Sequence, residues 1–125
     1  MKKLTLILGL VFCSYSWAEV ELIDVSVLKK RIENPGYSLI LLDVRTVREY
    51  QSGHIKDSIN IPHDQLIQNI DALDQYRNQP IVVFCRSGRR AQLVIDTLIQ
   101  NKFSQIVDIE GDMLAWKTSG FPVVH

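Results

Sequence analysis

Very little in this chain of 125 residues could hold a metal ion or staple a fold together. It has two cysteines, Cys13 and Cys85, and three histidines, His54, His63 and His125, scattered along the sequence. Zinc-type ligand sets need such residues in close clusters, so neither a metal centre nor another cofactor is expected. An excess of charge is missing as well, because 14 basic residues face 14 acidic ones. That balance argues against nucleic acid as a partner, which calls for a broad cationic surface. Repeats, low-complexity tracts and linker-like stretches are absent between Glu19 and His125. The longest apolar run, Leu4 to about Tyr15, falls short of the roughly 20 residues that span a bilayer.

The amino terminus has the pattern of a secretory leader. Met1-Lys2-Lys3, the apolar run and Ser16-Trp17-Ala18 predict a signal over residues 1–18, cleaved after Ala18, and a domain over 19–125. Bulky Phe12 before Cys13 disfavours a lipoprotein site. The expected location is a bacterial periplasm, with no stable membrane insertion once the leader is gone. The remaining domain is long enough for one core. It would carry 12 basic and 14 acidic residues, a formal charge of −2, and a single cysteine, Cys85. In an oxidising compartment paired cysteines are the structural norm, and Cys85 cannot be half of an internal disulfide.

Strand-like and helix-like patterns alternate through 19–125. This predicts a three-layer α/β domain, a largely parallel five-stranded sheet with helices on both faces. Glu21-Leu22-Ile23 opens it, followed by a helix with Val27, Leu28 and Ile32 on its apolar face. Ser38–Val44 reads as a central strand buried on both sides. Thr46 and Glu49 have capping-box spacing for a short helix that stops near Gly53. Ser58–Pro62 is a brief strand, and Leu66, Ile67, Ile70 and Leu73 share one face of the next helix. Pro80–Phe84, a helix over Ala91–Asn101, a strand over Ile106–Ile109 and a helix over Gly111–Ser119 complete the pattern.

Cys85 is the residue this arrangement singles out. A buried strand delivers it into Arg86-Ser87-Gly88-Arg89-Arg90, and Ala91, Val94, Ile95 and Leu98 then recur at helical spacing. The thiol therefore sits between a strand's carboxyl end and a helix start, where open α/β sheets place their chemistry. Backbone N–H groups and three guanidinium groups there favour a thiolate and an approaching small anion.

Three motifs in order give the chain a family resemblance: Asp43-Val44-Arg45 with Glu49-Tyr50, Gly53-His54-Ile55 and Ser58–Pro62; then Cys85-Arg86-Ser87-Gly88-Arg89-Arg90 as Cys-x-x-Gly-x-Arg; then Gly111, Ala115-Trp116, Gly120 and Pro122. Over nearly all of 19–125 it resembles the rhodaneses, single-domain thiosulfate sulfurtransferases, of an exported phage-shock type. The resemblance implies that Cys85 is the nucleophile. It would take the sulfane sulfur of thiosulfate, or another small anionic sulfur donor, as a persulfide and pass it to a thiophilic acceptor such as cyanide, a small thiol or a protein thiol. Loop amides from Arg86 to Arg90 would stabilise the sulfur anion, with Gly88 allowing the curvature. Arg86 and Arg89 would hold the sulfonate end, Arg90 would brace the loop, and Ser87 would donate a hydroxyl or simply be small. Asp112 stands where the family often has a second glycine.

The resemblance gives Asp43, Arg45 and Glu49 structural roles, with Arg45 and Glu49 spaced for a local salt bridge. His54 is expected to satisfy backbone partners and Trp116 to line the core or a pocket wall. Two alternatives stand beside the enzyme reading. A passive sulfur carrier or protein-binding module would use the same fold. Phosphatases and arsenate reductases of related fold use Cys-x5-Arg, but six positions after Cys85 stands Ala91.

Overall fold

The alternation of strand and helix folds into one sheet with two covered faces. The computed structural model describes Lys2, Lys3, Gly9, Leu10 and residues 19–125. Most of the expected leader, including Cys13 and the Ser16-Trp17-Ala18 junction, lies outside the described residues. Among the described residues no helix is long and apolar enough to cross a membrane.

Strands β1 (Glu19–Ile23), β2 (Ile40–Asp43), β3 (Ile59–Asn60), β4 (Ile81–Phe84) and β5 (Gln105–Ile109) lie in the order β1-β5-β4-β2-β3. Every pairing is parallel. The helices are α1 (Val25–Glu33), α2 (Val47–Gln51), α3 (His63–Gln68), α4 (Arg89–Gln100) and α5 (Asp112–Thr118), with a 3-10 segment at Ile70–Tyr76.

The continuous apolar run of β4 follows from this layering, since a strand covered on both faces has no solvent side to reserve for polar residues. Ile81 and Val83 pack with Leu66, Leu73, Val94 and Leu98 on the α3 and α4 face. Val82 and Phe84 point the other way, towards Val25, Leu28, Met113 and Trp116 of α1 and α5. Removing a fully buried side chain such as Leu98 costs about 2–5 kcal/mol, so these two half-cores hold β4 and its carboxyl end firmly in place.

Several boundaries differ from the sequence pattern. The central strand is Ile40–Asp43 rather than Ser38–Val44, and the strand expected at Ser58–Pro62 pairs only at Ile59–Asn60. On α1 the buried residues are Val25 and Leu28; Ile32 is 37% exposed and lines a surface depression with Leu39 and Leu41. The helix expected to run through Leu66 and Leu73 is broken at Asn69 (φ −139°, ψ 54°), after which a 3-10 segment continues. Leu66 and Leu73 are still both buried, whereas Ile67 is turned outward. Asparagine competes for its own backbone hydrogen bonds, which weakens it inside a helix.

From β2 the chain moves outward to β3, then returns to β2's other flank with β4. The carboxyl ends of β2 and β4 flank this divergence, and Cys85 follows β4 at that point.

Candidate active site

Between Phe84 and the start of α4 the chain turns through Cys85, Arg86, Ser87 and Gly88. Gly88 makes the turn possible: as the residue capping α4 it has φ of +115°, which side-chain-bearing residues rarely adopt. The turn aims two backbone donors at the sulfur. Gly88 N–H donates to Cys85 Sγ at 3.0 Å and Ala91 N–H at 3.4 Å. Of the amides expected from Arg86 to Arg90, Gly88 is the one that reaches the sulfur; the second donor comes from one residue beyond that range. The first N–H groups of a helix have no partner within it, so α4 lends one to the thiol without loss to its own ladder. Cys85 itself is only 1% exposed.

A second helix start holds the loop from beneath. Met113 N–H donates to Cys85 C=O at 3.0 Å and Leu114 N–H to Arg86 C=O at 3.1 Å. Cys85 N–H in turn donates to Asp112 Oδ1 at 2.8 Å. Gly111 shapes the start of α5, since at its φ of +78° an added Cβ would meet the Ala115 Cβ of the same helix at 2.6 Å. Asp112 is 3% exposed with φ of +51°. Burial pushes its carboxyl up to about 6, with the nearby Asp108 charge adding to the rise and the Cys85 N–H opposing it.

The three loop arginines divide. Arg90 is half-buried and grips Glu49 with both nitrogens, Nη1 to Oε1 at 2.6 Å and Nη2 to Oε2 at 3.0 Å, so it braces the loop as expected. Glu49 also accepts from Thr46 N and Oγ1, completing the capping box of α2. Hydrogen bonding to Arg90 holds the Glu49 carboxyl down to about 2, and Glu49 in turn raises Arg90. Arg86, Ser87 and Arg89 are exposed, and among the described residues neither arginine makes an ion pair. Arg86 lines a depression of about 140 Å³ together with Arg45, Glu49 and Lys117.

The expected Arg45–Glu49 bridge does not form. Arg45 turns instead to Asp43, donating from Nε to Oδ1 at 3.0 Å and from Nη2 to Oδ2 at 2.8 Å, and from Nη2 also to Gly53 C=O at 2.9 Å. Asp43 is fully buried at the end of β2 and requires a cation there, while Glu49 is already occupied by Thr46 and Arg90. His54 satisfies the backbone as expected, its Nδ1 lying 2.8 Å from Tyr50 C=O while its ring stacks on Tyr50. Trp116 is buried in the core and donates to Pro122 C=O.

Asp112 is the site residue that the sequence reading did not assign. The signal available was local: an acidic residue after Gly111 at the start of a helix, in the position where a second glycine was expected.

Comparison with known proteins agrees with this geometry. Residues 24–119 match the rhodanese-like domain family. A sulfurtransferase of Allochromatium vinosum is 28% identical over 102 residues, covering 82% of this chain and 92% of that protein. The putative sulfur carrier protein YrkF of Bacillus subtilis is also 28% identical, over 75% of this chain, which spans about half (49%) of that longer protein. Among solved structures, a rhodanese-related protein from Thermoplasma volcanium superimposes with a TM-score of 0.72 at 33% identity, covering 83% of this chain and 97% of that one.

Proposed function

Since the chain belongs to the rhodanese-like family of sulfurtransferases and sulfur carriers, we propose that it moves the sulfane sulfur of thiosulfate through a persulfide on Cys85 to a thiophilic acceptor. The observation that carries this reading is the pair of N–H groups, from Gly88 and Ala91, directed at Cys85 Sγ at the carboxyl end of β4. In the first step the Cys85 thiolate attacks the outer sulfur of thiosulfate. A new S–S bond forms, the sulfur–sulfonate bond breaks, and sulfite leaves with the bonding pair. In the second, an acceptor such as cyanide takes the outer sulfur and the Cys85 thiolate is released.

Both steps pass negative charge through Sγ, and preorganised N–H donors favour that charge without having to reorganise. Sulfur is nucleophilic enough to need no general base. In this reading the exposed Arg86 and Arg89 would hold the sulfonate, while Arg90, tied to Glu49, would keep the loop's shape. A sulfur atom this closely covered suits a slim donor such as thiosulfate better than a bulky one. Phosphate chemistry fits less well. The Ala91 N–H closes in on a single atom, and the position that a Cys-x5-Arg loop gives to arginine is Ala91 here.

Intact-protein mass after incubation with thiosulfate provides the test. The protein should gain the mass of one sulfur atom, cyanide should remove it with formation of thiocyanate, and Cys85→Ser should do neither. Uptake of sulfur by the serine variant would overturn the assignment. Loading that no small acceptor can discharge would instead favour a passive carrier.

A further inference from the structure

A buried carboxylate hydrogen-bonded to the backbone of the nucleophilic cysteine needs a physical account, because its charge works against the charge the reaction requires. Asp112 is 3% exposed, and Oδ1 accepts the Cys85 N–H, a nitrogen three covalent bonds from Sγ. Its Oδ2 lies 3.1 Å from where a Cβ on Gly88 would sit, and Gly88 supplies the shorter of the two N–H donors to the sulfur. The carboxylate therefore touches the loop at both ends of the Cys85–Gly88 turn. The Arg90 guanidinium also interacts with the Cys85 sulfur, which favours its charge.

We propose that Asp112 is a positioning residue for the sulfur chemistry, fixing the Cys85–Gly88 turn through its carboxylate and opposing the charge on Cys85 Sγ whenever it is ionised. The proposal deepens the reading of Cys85 as a nucleophile. Ionised Asp112 makes the thiolate more costly, so Sγ leaves a persulfide less readily and the outer sulfur is retained longer before discharge. Protonated Asp112 removes that opposition, and the site becomes easier to discharge as the medium turns mildly acidic.

The surroundings of Asp112 make such a response possible. Its titratable neighbours are Asp108 of β5, a like charge, and the Cys85 thiol, whose hydrogen bonding favours the ionised carboxylate; Arg90 of α4 interacts with the same sulfur. The side chains that line the same space, Val25 and Leu28 of α1, Ile55, Phe84 and, from Asp112's own helix, Trp116, carry no charge. Glu49 reaches the sulfur only through Arg90 and is held ionised down to about 2, so it does not titrate in the same range.

The rate of Cys85 alkylation by iodoacetamide between pH 4.5 and 9 tests this without any sulfur donor. Failure of thiosulfate transfer would therefore leave the present proposal untouched, and the reverse holds too. The parent protein should show an additional inflection near pH 6, in the range of the Asp112 carboxyl. Asp112→Asn keeps an acceptor for the Cys85 N–H but not the charge; it should lose that inflection and alkylate about three- to tenfold faster at pH 7, the scale of one partly screened charge a few ångströms away. Asp108→Asn leaves Asp112 in place, guards against a poorly folding Asp112 variant, and should move the inflection to lower pH. If neither substitution changes the alkylation profile of folded protein, Asp112 is only a hook for the loop and the proposal is overturned.

Discussion

The carboxyl ends of β2 and β4 lie side by side, with Asp43 in register with Phe84, and each has a buried aspartate. At β2 the charge is closed off: Asp43 receives the Arg45 guanidinium through two nitrogens and the Arg45 backbone N–H as well. At β4 it is left open, since Asp112 accepts the Cys85 backbone N–H and no cation pairs with it among the described residues. A buried ion pair that satisfies itself is an element of construction. A buried carboxylate facing a thiol remains free to respond to its surroundings, and the fold tolerates its cost because it lies against the chemistry.

The largest expected effect comes from breaking the closed end. Arg45→Met leaves Asp43 buried without its counter-charge and strips the Gly53 carbonyl of a donor, which should cost about 3–5 kcal/mol of stability. Urea unfolding at pH 7 measures it. A cost below about 1 kcal/mol would mean that Asp43 finds another partner and that the two strand ends are not different in kind.

Next in size is a direct disturbance of the open end. Gly88→Ala forces a side chain into a φ of +115° and against Asp112 Oδ2, whereas Gly120→Ala has strain alone, at φ of +71° with nothing within 4 Å. Each should lose roughly 1–3 kcal/mol through backbone strain. The two separate in chemistry, because Gly88→Ala alone displaces the N–H at Sγ; a fall of about tenfold or more in the rate of sulfur loading is expected, against little change for Gly120→Ala. Equal loading rates in the two variants would remove the Gly88 amide from the mechanism.

How far the sequence reveals this contrast depends on the range of the interactions. The sheet was legible because both-face burial writes itself as Leu39–Leu42 and Ile81–Phe84, and the α2 capping box because Thr46 and Glu49 are three residues apart. Cys85 was legible because a strand, a cationic turn and a helix adjoin in the chain. Pairings over long separations were not: Arg90 with Glu49 spans 41 positions and Cys85 with Asp112 spans 27. Arg45 looked equally suited to Glu49 by spacing, and only the burial of Asp43 decides between them. Asp112 gave no periodic signal of its own, since its role depends on β5 and α5 carrying it underneath a loop from another strand.

The smallest expected effect concerns acid stability, where the open carboxylate and the Glu49–Arg90 brace have opposite signs. Glu49 is lowered from 4.5 to about 2 in the folded protein, so its contribution is fully present above pH 4.5 and is lost as pH falls through about 2. Asp112 is raised from 3.8 to about 6, so its contribution is present below pH 3.8 and is lost as pH rises through about 6. Acidification from pH 7 should therefore first relieve Asp112 and only later release the Arg90 brace. Glu49→Gln removes the second event alone. At pH 7 it should cost about 1 kcal/mol, because the pair is a quarter to a third exposed and solvent screens it. Between pH 4.5 and 2 its stability should fall less steeply than the parent's, while the segment between pH 6 and 4.5 stays unchanged. Urea midpoints at half-unit pH intervals resolve both segments. If Glu49→Gln instead alters the upper segment and leaves the lower one alone, the two carboxylates have been assigned to the wrong ends of the acid response.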